Sequence, residues 1–180
     1  MREPWNVLVS VSGNRYREAI EELRRFGTVH KTVFFNVLAI EADDPDAMLE
    51  DLKTEQAADP EALGWLGHIA LARDVFLFRS PEEFEFKAKE HVRPLLDKLA
   101  GKRFFVRMHR RGFKGRISSQ AEERFLDHFI LDTLRQKGAA AAIDFEDPDY
   151  ILEIETLAQE AGLAVWSREQ RERYPFLKLH

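Results

Sequence analysis

The sequence predicts an α+β protein built as two domains. Short alternating apolar runs and amphipathic helical runs follow one another along the whole chain. The 180 residues are 44% hydrophobic and 33% charged, a globular composition with enough apolar mass for a core. One complete pattern of elements uses up residues 1–79, and a second begins at Ser80. The expected domains are therefore 1–79 and 80–180.

The first strand is WNVLVSVS, residues 5–12, where Val7, Val9 and Val11 alternate with Leu8 and Ser10. Gly13-Asn14 turns the chain. In RYREAIEELRRFG, Tyr16, Ala19, Ile20 and Leu23 share a helical face, with Gly27 at the C′ position. TVHKTVFFNVLAIEAD, residues 28–43, is too rich in β-branched residues for a helix and reads as two strands joined near Phe35-Asn36. Asp44-Pro45 opens a helix carrying Ala47, Met48, Leu49 and Leu52. HIALARDVFLF, residues 68–78, reads as one closing strand. The order is β-α-β-β-α-β, the ferredoxin-like plan.

Ser80-Pro81 starts the second domain with a helix whose first turn holds Glu82 and Glu83, where the macrodipole favours acids. Pro94 kinks or splits this helix, and Gly101 ends it. RFFVRMH, residues 103–109, alternates as a strand: Phe104, Val106 and Met108 face the core, and Phe105, Arg107 and His109 face the other way. Ser119 with Glu122 matches a capping box for an amphipathic helix carrying Phe125, Leu126, Phe129, Ile130 and Leu134. Residues 139–145, AAAAIDF, read as a strand. YILEIETL and GLAVWS form a hairpin joined by AQEA, and the tail starts as a short helix and ends extended.

Composition excludes several chemistries. With no cysteine there are no disulfides, thiolate metal sites or cysteine nucleophiles. No apolar run approaches the ~18 residues of a membrane span and no secretory signal opens the chain, so a cytoplasmic location is expected. The six histidines have no metal-ligand spacing, and no dinucleotide, phosphate-loop or zinc-deaminase motif occurs. No cofactor, metal site or catalytic residue is expected. Asp144, Glu146, Asp147 and Asp149 crowd one segment, where Asp-Pro-Asp is first of all a turn.

The net charge of −5 conceals a basic block. Residues 1–80 hold 9 Lys/Arg against 14 Asp/Glu, whereas residues 81–180 hold 18 of each. Within the second half, GKRFFVRMHRRGFKGRISSQ, residues 101–120, contains no acid at all. Its arginines and lysines suit phosphate, since a guanidinium fork binds phosphate oxygens and a nearby aromatic ring offers a stacking surface. The candidate contacts are Arg103, Arg107, Arg110, Arg111, Lys114 and Arg116, with His109 and Phe113 stacking on a base or ribose.

From residue 80 to about 170 the parts resemble a THUMP domain, a module of RNA-modifying enzymes and their helpers. Phe104, Val106 and Arg110 match its strand pattern, and Asp144, Pro148-Asp149, Ile151 and Glu153 match its later turn and strand. NVLVSVSGNRYREAIEEL and the tail are similar to stand-alone THUMP adaptors that assist tRNA cytidine acetyltransferase. The resemblance implies a ferredoxin-like domain leading into the THUMP domain, and a grip on the tRNA acceptor stem and 3′ end. Because the chain stops soon after this region, the chemistry is expected to come from a separate enzyme. The expected function is thus a non-catalytic tRNA-binding adaptor with no membrane contact. Two alternatives stand beside it: a small RNA-modifying or RNA-processing enzyme using the acids at 144–149, and a metabolite-binding regulatory module.

Overall fold

The computed structural model describes residues 4–179, as two compact units. Among these, residues 4–73 and 171–178 form one unit, and residues 74–170 with Leu179 form the other. Both contain an open sheet with helices, an α+β architecture.

The first unit has strands β1 (Val7–Val11), β2 (Gly27–Lys31), β3 (Val37–Ala42) and β4 (Leu66–Leu71). Their spatial order is β2-β3-β1-β4 and every pairing is antiparallel. Helices α1 (Tyr16–Leu23) and α2 (Pro45–Ala58) are the crossover elements. Asp44 caps α2 by accepting from the Ala47 amide at 3.0 Å, and Pro45 supplies the preset φ of a first helical residue. A 3-10 turn (Arg24–Phe26) separates α1 from β2, so Gly27 opens a strand rather than trailing a helix. A Cβ at Gly27 would lie 2.0 Å from the Glu41 carbonyl oxygen, a contact only glycine avoids.

The second unit has β5 (Asp74–Leu77), β6 (Arg103–His109), β7 (Ala142–Ile143), β8 (Tyr150–Leu157) and β9 (Glu160–Ser167) in the order β5-β9-β8-β6-β7. β6 runs parallel to β8 and β7, while the other pairs are antiparallel. α3 (Pro81–Val92) is capped by Ser80, which accepts from the Glu83 amide at 3.1 Å. Pro94 divides it from the short α4 (Leu96–Leu99). α5 (Ser119–Gln136) packs along β6, and α6 (Arg168–Arg173) carries the chain back into the first unit. Phe84 of α3, Phe104 and Val106 of β6, Leu126 and Ile130 of α5 and Leu152 of β8 share one core. Each such side chain contributes about 1.5–3 kcal/mol by leaving water.

Further local expectations change. HIALARDVFLF is two strands in different sheets, because β4 pairs with β1 and β5 with β9. The charged Arg73-Asp74 pair marks the break. The helix cap is Ser118, which accepts from the Ala121 amide at 3.3 Å; Ser119 is already the first helical residue. Of residues 139–145 only Ala142 and Ile143 pair as a strand, since bare alanines give a strand little to pack. The tail turns through a 3-10 segment (Pro175–Leu177) rather than ending extended, and His180 lies outside the described residues.

Candidate nucleic-acid interface

The basic block is one strand and one loop, and the two use their charges differently. Along β6 the cations meet carboxylates of their own unit. Arg103 lies 3.3–3.7 Å from Asp144, Asp147 and Asp149, and its amide donates to Asp149 at 2.8 Å. Arg107 is half-buried 3.6 Å from Glu123, with its guanidinium 5.1 Å from the centre of the Phe105 ring. His109 Nδ1 lies 3.0 Å from Glu155 and 3.8 Å from Glu153. Arg111 follows at the strand's end and donates to Glu155 at 2.5 Å.

The sheet register explains the placing of His109 and Arg111 beside Glu155. Arg107 and His109 are opposite Glu153 and Glu155 in the parallel β6–β8 ladder. Both glutamates are 1% exposed, and a buried carboxylate needs a cation or hydrogen-bond donors. The Trp166 indole donates to Glu153 at 3.1 Å. Glu153 entered the sequence reading only through the family resemblance and Glu155 not at all, although the spacing Arg-x-His against Glu-x-Glu on two strands carries the signal.

Beyond Arg111 the chain leaves the sheet. The Arg111 amide donates to Thr156 Oγ1 at 2.9 Å, and its carbonyl accepts from the Ala158 amide at 2.8 Å. The loop is thereby tied to the β8–β9 turn. Gly112 has φ +100°, and a Cβ there would approach the Ala158 Cα to 3.1 Å. The Arg110 guanidinium folds onto the Gly112 carbonyl oxygen. Phe113, half-buried at φ +54°, packs 5.0 Å from the Phe78 ring. Arg116 covers the ring at 4.9 Å. Buried Ile117 re-enters the core and closes the loop.

The eight expected contacts therefore divide. Arg103, Arg107 and Arg111 belong to ion pairs of the second unit, and His109 hydrogen-bonds Glu155 there. Arg110, Phe113, Lys114 and Arg116 form one anchored loop between β6 and α5, and Lys114 and Arg116 are exposed. Arg103 is some six residues of extended strand from His109, about 20 Å, so it stands apart from the loop. Phe113 is a loop anchor with Arg116 stacked on its outer side.

The acids at 144–149 also have structural partners. Asp144 accepts from the amides of Glu146 and Asp147 at 2.9 and 3.0 Å, which with nearby Arg103 and Arg168 holds its carboxyl below the usual range. The Arg103 amide, then the Arg103 and Arg168 guanidinium groups, do the same for Asp149. Arg168 also reaches Asp147 at 2.8 Å and the Pro148 carbonyl at 3.0 Å. Such carboxylates stay ionised and engaged in the turn. Among the described residues no helix is long and apolar enough to cross a membrane.

Neither a protein-family model nor a curated protein matches the chain. Solved structures do match in fold. PH1313 from Pyrococcus horikoshii has a TM-score of 0.56 at 14% identity, covering 89% of this chain and 53% of its own. TrmN from Thermus thermophilus has a TM-score of 0.56 at 18% identity, covering 89% and 44%. A 4-thiouridine synthetase, solved in complex with RNA and ATP, has a TM-score of 0.51 at 18% identity, covering 91% and 42%. The chain thus spans about half the length of the structures it matches. At these identities the likeness establishes a shared fold.

Proposed function

We propose that this chain is a non-catalytic tRNA-binding protein that presents tRNA to a separate modifying enzyme. The observation that carries the reading is the anchored loop, where Arg110, Lys114 and Arg116 stand together without an acid between Lys102 and Gln120. A fixed, exposed cluster of cations suits phosphate oxygens, and backbone contacts dominate nucleic-acid affinity. In this reading the first unit is a ferredoxin-like domain, supported by its β-α-β-β-α-β order and its antiparallel β2-β3-β1-β4 sheet. The second is a THUMP domain, supported by the shared fold with a synthetase solved bound to RNA.

The finer parts of the proposal follow from the resemblance. The acceptor stem and 3′ end of tRNA are the bound region, and cytidine acetylation by a partner acetyltransferase is the chemistry served. A cytoplasmic location completes the reading. Side chains reach bases at RNA ends because the A-form major groove is too narrow to admit them.

Equilibrium binding of tRNA across a salt series tests this. Three neutralised phosphates predict a slope of about −2 to −3 in log K against log salt. The four to six phosphates that the whole basic block would neutralise predict a steeper line. Binding that is absent at low salt, or indifferent to salt, contradicts the proposal.

A further inference from the structure

Residues paired across a parallel ladder point their side chains to one face, and so do residues two apart on a strand. His109 is paired with Glu155, and Glu153 lies two residues before Glu155 on β8. All three therefore share a face within the second unit. His109 Nδ1 lies 3.0 Å from Glu155 Oε1 and 3.8 Å from Glu153 Oε2. The spacing of histidines along the chain gives no sign of this group, because the glutamates come from a strand distant in sequence.

The far oxygen of each glutamate is held by a donor. Trp166 Nε1 donates to Glu153 Oε1 at 3.1 Å, and Arg111 donates to Glu155 Oε2 at 2.5 Å. Each bond turns the opposite oxygen of its carboxylate toward His109. Carboxylates that ligate metals in proteins are oriented by outer hydrogen bonds of this kind. The charges agree with a cation. Two buried carboxylates side by side call for positive charge between them, and Arg111 stands on the far oxygen of one. A proton on His109 Nδ1 can bond the nearer oxygen but not the one at 3.8 Å. A metal ion set among the three serves both.

We propose that His109, Glu153 and Glu155 bind a divalent transition-metal ion of the zinc class. Zinc takes imidazole nitrogen and carboxylate oxygen at about 2.0–2.2 Å, which sets two ligands of a tetrahedral ion roughly 3.3 Å apart. The distances of 3.0 and 3.8 Å straddle that value. A ligand atom from each of the three residues lies within 4.8 Å of the other two. The imidazole favours zinc and its neighbours in the transition series over magnesium and calcium, which take oxygen ligands. Three protein ligands leave the fourth position to water. The bound ion pins the end of β6 to β8, immediately before the loop that carries Arg110, Lys114 and Arg116. This site stands independently of the RNA reading.

The zinc content of the untagged full chain, stripped with a chelator and then dialysed against micromolar zinc without RNA, tests this. Wild type is expected to retain a single equivalent and to melt at a higher temperature with zinc than without. His109→Ala and Glu153→Gln are expected to weaken retention at least tenfold and to abolish the shift in melting. His128→Ala, at an exposed position on α5, is expected to behave as wild type. Circular dichroism checks the fold of each variant. A wild type that retains no zinc overturns the proposal. So does retention that His109→Ala and Glu153→Gln leave unchanged, or that His128→Ala removes.

Discussion

Glu122 on α5 is 5% exposed, and burial together with the neighbouring charge and hydrogen bond of Glu85 pushes its carboxyl up to about 8. The folded chain holds this proton to about pH 8, while the ordinary value is 4.5. Between these values the unfolded chain has lost the proton and the folded chain has not. This group's contribution to stability therefore falls as pH rises through that window. Glu122→Gln is expected to raise the thermal midpoint at pH 9 and to change it little at pH 4. Thermal melts at the two values check this, and equal effects at both would contradict it. Arg111 makes the opposite case. Its side chain is 14% exposed and it sits on Glu155, which is 2% exposed. Arg111→Ala should cost about 3–5 kcal/mol in urea unfolding, because a buried carboxylate loses its cation. For the same reason it would be a poor probe of RNA contact.

At the scale of the element, β6 is held by side chains where its ladder is incomplete. β7 pairs only with Arg103 and Phe104. Further along, the Val106 amide donates to Asp127 at 3.2 Å and the Met108 amide to Glu123 at 2.8 Å, both on α5. Burial pushes Asp127 up to about 6 despite the Val106 amide. β2 depends on a different device. Gly27→Ala should destabilise the first unit by about 1–3 kcal/mol, since the Glu41 carbonyl that its Cβ meets is backbone and cannot rotate away. A chemical denaturation curve measures the loss. The elements whose cause lies in nearby residues were legible in the sequence: the alternating valines of β1, Asp44-Pro45 at α2, Ser80-Pro81 at α3 and the break at Pro94. Those decided by distant pairing were not. Arg73-Asp74 separates two strands because β4 and β5 find different partners. The carboxylates that pair with Arg107, His109 and Arg111 are more than thirty residues away from them except Glu123.

For the whole molecule, charge is distributed by role. The net charge is −5, and the acidic excess lies within residues 1–80. Half of the basic block is balanced inside the second unit, which leaves a compact cationic loop rather than a basic strand. The sequence displayed the charges and their place between two helices. It could not show which ones the fold would consume, because that depends on the β6–β8 register and on how α5 and the 144–149 turn pack against β6. This loop is the proposed RNA contact. The direct measurement is the tRNA affinity of wild type beside the triple variant R110A/K114A/R116A, at one salt concentration, with thermal midpoints recorded for both. Binding is expected to weaken by at least tenfold, about 1.4 kcal/mol, with an unchanged midpoint. An unchanged affinity in a folded triple variant would contradict it.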